Sequence, residues 1–421
     1  MKKDLPASLL DIALRIRPGA FSDNASALLE LVKATARTGG AEVVVPADVI
    51  RGGDCGSLND HPAFQAALAA EQEKFLKAVA KLKRAPKVTF TSGGWGPSPL
   101  AGAGPDPRFP FCGRPGEVFS RQVAGLARRL AAIGCRHAVV GLSGGLDSAL
   151  ALLVTVASFD MLGLDRAGVR VFTMPGFGTT KRTRGNAEDL AEGLGLKLET
   201  IDITPACRQH FKDIGQSERI HDVTYENAQA RERTQILMDK ANQMGGIVIG
   251  TGDMSEIALG WCTYNGDHMS MFGVNAGVPK TTVREVCRWW AEGKGAGGLA
   301  AKALLDILAT PVSPELLPAK RGKIAQKTED RVGPYELHDF FLWHFVAELG
   351  SRADILKAAK KAFRGQYDAA TIAKWLDVFF HRFFAQSFKR NCAPDGVPVF
   401  SVYLAPSAWH VPSDISGAAF R

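Results

Sequence analysis

The stretch AVVGLSGGLDSALALL, Ala138–Leu153, decides the fold. It opens as a short apolar strand, breaks into Ser and Gly, reaches Asp147 and Ser148, and resumes as an apolar helix. A turn from a buried strand into a helix leaves free backbone N–H groups and the positive end of the helix dipole at one edge of the sheet, which suits an anion. Gly144 and Gly145 let the backbone come close to such a group because no Cβ intervenes. Ser143 and Ser148 add hydroxyl donors. A carboxylate would repel a bare phosphate, so Asp147 makes sense in this nest where it holds Mg²⁺ against phosphate oxygens. The spacing differs from the G-x-x-x-x-G-K-[ST] loop, and no Lys follows. A merely structural Gly turn is the alternative, and the position after a strand and before a helix argues against it.

Outward from this turn, strand and helix patterns alternate. HAVVGL (137–142), VRVFTM (169–174), KLETIDI (197–203) and GIVIGT (246–251) read as strands. Helical patterns at about 117–133 and 184–195, and two more before 246, separate or precede them. Strands that are apolar on both faces argue for a doubly wound α/β fold, a parallel sheet with helices on each side. In such sheets ligands lie beyond the carboxyl ends of the strands. From about 281 the pattern is helical, with periodic stretches near 281–292, 334–348, 352–363 and 369–386. The N-terminal part reads as a small α/β segment: a helix from about 24, the strand AEVVVPADV (41–49), a Gly-rich loop and a helix over 62–84. The Gly- and Pro-dense residues 85–116 mark a crossing segment, with a domain boundary near 110. No internal repeat is present.

The chain has 421 residues and a formal net charge of +8, from 51 Lys and Arg against 43 Asp and Glu. That length allows about two or three domains. The positive balance favours anionic partners. Its basic residues are dispersed, and the densest run, KAAKKAFR (357–364), reads as one solvated helix face, so phosphorylated small molecules fit better than nucleic acid. No apolar run reaches the roughly 18–20 residues of a membrane span, and charge interrupts the N-terminal apolar stretch, so a cytoplasmic, membrane-free protein is expected. The seven cysteines (55, 112, 135, 207, 262, 287, 392) are scattered, as in a reducing compartment. Cys207 and His210 form a lone CxxH, read as helix packing rather than a metal site.

SGGLDS resembles the pyrophosphate loop of the ATP pyrophosphatases, which cleave ATP to AMP and pyrophosphate while adenylating a substrate. The loop alone does not choose among GMP, asparagine and argininosuccinate synthetases and the tRNA-thiolating enzymes. The remaining motifs do: TMPGFGTTKRTRGNAEDLAEGLG (173–195), YENAQARER (225–233), GTGDMSEIALGWCTYNGD (250–267), VPKTTV (278–283), SPELLP (313–318), TEDRVGPYELHDFFL (328–342) and FKRNCAPDG (388–396). They follow the order found in NAD synthetases, from about 117 to 421, and look most like the long, glutamine-dependent branch.

What the resemblance implies can be placed residue by residue. The fold would be the adenine-nucleotide α-hydrolase-like sheet with a helical C-terminal extension. The loop Gly141, Leu142, Ser143, Gly144, Gly145, Leu146, Asp147 and Ser148 would hold the pyrophosphate of ATP, with Thr251, Lys280 and Ser313 also at the nucleotide. Asp147 and Glu256 would be the Mg²⁺ carboxylates, and Asp147, Ser148 and Lys280 the residues nearest the chemistry. Arg231, Asn227, Tyr264, Asp267, Lys389 and Arg390 would bind deamido-NAD (nicotinic acid adenine dinucleotide). Asn227 and Arg231 are i and i+4 and share a helix face, whereas Arg233 is expected at the surface. Tyr264 stands where short family members have Lys, a departure at the nicotinate end.

The reaction so implied is adenylation of the deamido-NAD carboxylate, release of pyrophosphate, and displacement of AMP by ammonia. Asp253 and Asp267 are the candidate acceptors of the ammonium proton. The glutamine-dependent branch adds a nitrilase-like glutaminase with a Glu-Lys-Cys triad, whose first strand should end in Pro-Glu. Here that strand reads Pro46-Ala47, and Cys55 and Cys112 lie in loops without a suitable partner. Residues 1–110 are therefore read as a reduced, inactive nitrilase-like segment, too short for the complete layered domain, with 111–421 as the synthetase domain. Free ammonia is then the expected nitrogen source. A separate glutaminase subunit and a non-catalytic nucleotide binder of the same fold are the competing readings. A binder would not need both Asp147 and Glu256. Assembly as at least a homodimer is expected from the family.

Overall fold

The structure, a computed structural model, describes residues 16, 17, 19–39, 42–51, 59, 62–91, 100, 102, 104–310, 316, 317 and 328–418. The chain divides into two compact units, Met1–Ser98 with Ala127–Gly134, and Pro99–Leu126 with Cys135–Arg421. The main division thus falls at 98 rather than near 110.

In the first unit, helix α1 (Phe21–Arg37) leads to strand β1 (Glu42–Pro46), helix α2 (Pro62–Ala80) and strand β2 (Lys87–Thr91). The two strands pair in parallel, Glu42 opposite Lys87, so α2 is the crossover that parallel pairing requires. Alternation in EVVVP sends Val43 and Val45 into a core with Leu28, Val32, Phe75 and Val79. Val44, on the other face, is 58% exposed. The pattern missed β2 because its five residues adjoin the Gly/Pro-dense segment and carry little alternation.

The second unit is built on a five-stranded parallel sheet in the order β5-β4-β3-β6-β7. Its strands are β3 (Ala138–Gly141), β4 (Val169–Thr173), β5 (Leu198–Thr200), β6 (Ile247–Gly250) and β7 (Phe272–Gly273). β3 comes first in sequence and lies in the middle, with Ala138 opposite Val169 on one side and Ile247 on the other. The chain therefore leaves β3 toward β4 and later returns to its other side at β6, opening a crevice at the carboxyl end of β3. The two-residue β7 carried no readable pattern.

Helix α3 (Pro115–Ala132) precedes β3, and α4 (Leu146–Leu162) follows it. The α4 sequence is apolar on every face and is buried from Ser148 to Val156, as expected for a helix enclosed by other layers. α5 (Lys181–Gly193), α6 (Thr204–Asp213) and α7 (Val223–Met244) complete the crossovers. Ala241 of α7 packs on Val139, Phe172 and Val248 of the sheet. α8 (Met254–Leu259) follows β6, and α9 (Lys280–Glu292) and α10 (Leu299–Leu308) follow β7.

The C-terminal extension holds α11 (Thr328–Val332), α12 (Tyr335–Leu342), α13 (Arg352–Ala362), α14 (Ala369–Ala385) and α15 (Ser387–Arg390). The stretch expected as one helix over 334–348 is α12 continued by a π turn, Trp343–Ala347. Phe341 and Phe345 both reach Phe379 across this junction. Among the described residues no helix is long and apolar enough to cross a membrane.

Candidate active site

The loop from β3 to α4 is held from outside and within. Leu142 N donates to Phe172 O at 2.8 Å, fastening its start to β4. Gly144 has φ +81°, and a Cβ there would lie 2.0 Å from the Thr183 carbonyl oxygen, so the loop packs against α5 where only Gly fits. Gly145 is the extended N-cap of α4. Ser148 Oγ accepts from Ser143 N at 3.2 Å and donates to Gly145 O at 3.0 Å, and Gly145 N donates to Ser143 Oγ at 3.2 Å. The two hydroxyls expected as anion donors thus brace the loop itself.

Asp147 points from the first turn of α4 into an acidic cluster with Asp253 and Glu256, one oxygen from each lying within 4.8 Å of the others. Asp253 and Glu256 are set by a capping box at the start of α8: Asp253 Oδ1 accepts from Glu256 N at 2.8 Å, and Glu256 Oε2 accepts from Asp253 N at 3.4 Å. Lys280, the first residue of α9, fills the centre. Its Nζ lies 2.6 Å from Asp147 Oδ2, 2.8 Å from Asp253 Oδ2 and 3.0 Å from Glu256 Oε1. Lys280 is 1% exposed and Asp253 fully buried, while the side chains of Asp147 and Glu256 keep 21% and 19% exposure. The solvent-facing side of the cluster is therefore the Asp147–Glu256 side.

Burial pushes the Glu256 carboxyl up to about 7, against the pull of Lys280 and with the Asp147 charge adding to the rise. Burial likewise raises Asp253 well above the usual carboxylate range. Burial alone would lower the Lys280 ammonium, and the carboxylates of Asp147, Asp253 and Glu256 more than offset it, holding it well above its ordinary value. Asp253, expected as a candidate acceptor of the ammonium proton, is instead spent on Lys280 and on capping α8. Asp147 Oδ1 is buried without a hydrogen-bond partner. An orphaned carboxylate oxygen beside two further carboxylates is a hard-oxygen donor set, and it fits Mg²⁺.

Residues outside the expected set hold these groups in place. Lys280 N donates to Ser255 Oγ at 2.8 Å. Asp339 accepts from Ser255 Oγ, from Thr281 N at 3.0 Å and from Thr281 Oγ1 at 2.7 Å, with burial raising its carboxyl to about 6. Asn275 Nδ2 donates to both Asp147 O and Thr251 O at 2.9 Å, tying the anion loop's helix to the end of β6. Gln122 Nε2 donates in turn to Asn275 Oδ1 at 2.9 Å. Thr251 thus sits at the crevice. Ser313 and Cys55 lie outside the described residues.

The second expected group converges on the loop 261–268. Thr263 Oγ1 donates to Asn227 Oδ1 at 2.7 Å, and Arg231 Nε donates to Tyr264 O at 3.2 Å, so one face of α7 meets this loop. Thr263 N donates to Asp267 Oδ1 at 2.7 Å. Tyr264 is exposed and stacks on His268 with centroids 5.6 Å apart. Lys389 Nζ donates to Gly260 O at 2.9 Å and Cys262 O at 2.7 Å, and burial lowers its ammonium. Glu256, Cys262, Asp267, His268 and Lys389 line a cavity of about 30 Å³, room for water and not for a nucleotide.

Two expectations need correction. Arg390 does not offer its guanidinium to a ligand: it is 2% exposed, donates to Ala258 O at 3.1 Å and to Phe383 O, and lies over the Phe383 ring. Burial lowers it to about 10. Arg233 is half-buried rather than fully at the surface, and its Nε donates to Met174 O at 3.0 Å, just past the carboxyl end of β4. That sheet edge is where α7 has a second inward face. The CxxH stays apart: Cys207 is buried, while His210 is exposed. Burial pushes the Cys112 thiol up to about 12, unlike an activated nucleophile.

The chain resembles known proteins over most of its length. The family model for NAD synthase matches residues 118–371. A glutamine-dependent NAD(+) synthetase of Mycobacterium tuberculosis is 39% identical over 325 residues, covering 71% of this chain and 48% of that protein. Its counterpart in Mycobacterium leprae is 39% identical over 330 residues with the same coverage. The chain spans about half the length of the curated relatives it matches. A solved glutamine-dependent NAD(+) synthetase of Cytophaga hutchinsonii has the same fold, with TM-score 0.58 and 18% identity over 72% of this chain and 55% of that one. A sheet crossing over at β3, the anion loop with its carboxylate cluster, and these matches lead to one assignment: the chain belongs to the NAD synthase family.

Proposed function

We propose that the chain catalyses ATP-dependent amidation of deamido-NAD to NAD, through an acyl-adenylate and with release of AMP and pyrophosphate. The observation that carries this reading is the carboxylate cluster of Asp147, Asp253 and Glu256 directly beside the loop Gly141–Ser148, at the carboxyl end of β3. A nucleotide binder needs the loop alone; an enzyme that expels pyrophosphate also needs charge neutralised beside it.

Asp147 and Glu256, the two partly exposed carboxylates, would hold Mg²⁺, with Asp253 behind them. Bound there, the ion would neutralise charge on the phosphates. The backbone N–H groups of the loop and the N-terminus of α4 receive the pyrophosphate, Lys280 supplies a point charge beside it, and Thr251 lies at the nucleotide edge. Asn227, Arg231, Tyr264, Asp267 and Lys389 present the surface for the dinucleotide. Arg390 serves that surface indirectly, by holding the C-terminus of α8.

Ammonia is the group that attacks the acyl-adenylate. The relatives' names favour glutamine as its source, and free ammonia gains no support from them. We therefore place the glutaminase on a partner polypeptide. Ala47 after Pro46, and the exposed Val44 on a two-stranded sheet, support an inactive N-terminal unit. Cytoplasmic location and a homodimer are part of the same reading, on family resemblance.

The deciding assay gives the purified chain ATP, Mg²⁺ and deamido-NAD with either ammonium or glutamine, and follows AMP and NAD. NAD should form with ammonium, and with glutamine only after an ammonia-releasing glutaminase is added. No AMP under any condition would sink the synthetase reading. NAD from glutamine without a partner would sink the inactive N-terminal unit.

A further inference from the structure

Lys280 stands in an unusual place for a residue whose expected task is to touch phosphate. Its ammonium is held by one oxygen from each of three carboxylates, at 2.6, 2.8 and 3.0 Å. One oxygen from each of those carboxylates lies within 4.8 Å of the others, so the ammonium sits among the groups that a bound cation would use. Mg²⁺ requires oxygens at about 2.0–2.1 Å in near-octahedral order. An ammonium already at hydrogen-bond distance from the same oxygens blocks that geometry, and two cations so close repel.

Beside the carboxylates, Nζ faces an aromatic ring at cation–π distance. Tyr335 presents its ring, with Nζ 5.3 Å from the centroid, and its hydroxyl is buried without a hydrogen bond. The helix start is fixed, with Lys280 N donating to Ser255 Oγ and Thr281 N to Asp339, while beyond Cα the buried Lys280 side chain is held at its tip, by the carboxylates. A four-carbon stem on a rigid helix start can pivot while its base stays still. Asp147 Oδ1, buried without a partner, and the partial exposure of Asp147 and Glu256 leave an entry on the side away from Asp253.

We infer that the Lys280 ammonium and a divalent cation are alternative occupants of the Asp147–Asp253–Glu256 cage. With no nucleotide bound, Lys280 fills the cage and the metal binds weakly. An arriving triphosphate offers the ammonium new oxygens, and its departure opens the three carboxylates to the metal. Lys280 thereby links metal binding to nucleotide binding and offsets part of the cluster's negative charge between turnovers. The inference rests on the metal site of the proposed function but not on the identity of the acid that is activated.

The test is titration of the nucleotide-free protein with Mn²⁺, read by electron paramagnetic resonance of free Mn²⁺. Lys280→Met should bind Mn²⁺ at least tenfold more tightly than the unaltered protein. Equal or weaker binding by a folded Lys280→Met overturns the inference. If that variant does not fold, the unaltered protein decides: acetylation of Lys280 by acetic anhydride, followed by mass spectrometry, should rise at least threefold when Mn²⁺ saturates the site. Unchanged labelling at saturation overturns it. Neither measurement involves deamido-NAD, so a chain that fails to make NAD yet shows this exchange refutes the proposed function alone.

Discussion

The side-chain amide of Asn275 donates to the Asp147 carbonyl at 2.9 Å, and the same nitrogen donates to the Thr251 carbonyl. One buried residue thus sets the spacing between the anion loop's helix and the end of β6. Replacing it by Ala leaves both carbonyls and Gln122 Nε2 short of a partner in a buried site. Asn275→Ala should lower stability by about 1–3 kcal/mol, read as a shift in the urea midpoint. It should also lower the rate of AMP formation by about tenfold, since a small displacement of positioned groups is costly in rate. A variant that is destabilised but keeps full rate would show that Asn275 only holds the fold.

The anion loop gives a sharper contrast between neighbours. Gly144→Ala must place a Cβ 2.0 Å from the Thr183 carbonyl at φ +81°, whereas Gly145→Ala meets only Ser143 Oγ at 3.2 Å in an extended conformation. A left-handed backbone costs an L-residue roughly 1–2 kcal/mol before any clash. Gly144→Ala should therefore lose stability and nearly all ATP-dependent activity. Gly145→Ala should keep its melting temperature within a few degrees. Equal melting temperatures for the two variants would refute the account of this turn.

Asp147→Asn separates charge from shape. Lys280 would keep Asp253 and Glu256, so the fold should survive with near-native circular dichroism. AMP release with ATP, Mg²⁺ and deamido-NAD should drop by a factor of about 100 or more, the usual scale for removing one preorganised electrostatic group. Unchanged turnover would remove Asp147 from the metal site.

Much of this site could be read from the sequence because its pieces are local. SGGLDS sits between a strand and a helix, and GTGDMSE places a capping box directly after β6, so both carboxylates fall at one sheet edge once the sheet is parallel. What could not be read depends on long-range contact. Lys280 meets Asp147 across 133 positions, and nothing near either residue announces an ion pair. Asn275 lies in VNAGVP, where an Asn reads as a turn former until the loop after β7 is seen passing beneath α4. Arg233 lies off the Arg231 face, and its half-buried side chain meets the end of β4. Arg390 reads as a free cation beside Lys389 because its carbonyl partners, Ala258 and Phe383, are supplied by two other helices.

The acid limit of stability should report a residue outside the candidate site. His338 is 1% exposed, its Nε2 lies 2.5 Å from Val332 O, and its ring stacks on Phe379. Burial lowers its imidazolium to about 4, against 6.5 in an ordinary setting. Because the unfolded chain takes up this proton at higher pH than the folded one, the neutral ring contributes fully above about pH 6.5. That contribution is lost as pH falls toward 4, by up to about 3 kcal/mol in all. His338→Gln should be less stable than the unaltered protein at pH 7, and the gap should narrow by about 2 kcal/mol at pH 5, where only the unaltered chain carries this penalty. Urea midpoints at the two pH values measure the gap directly. A gap that stays constant between them would mean that His338 is protonated in the folded protein or accessible to water.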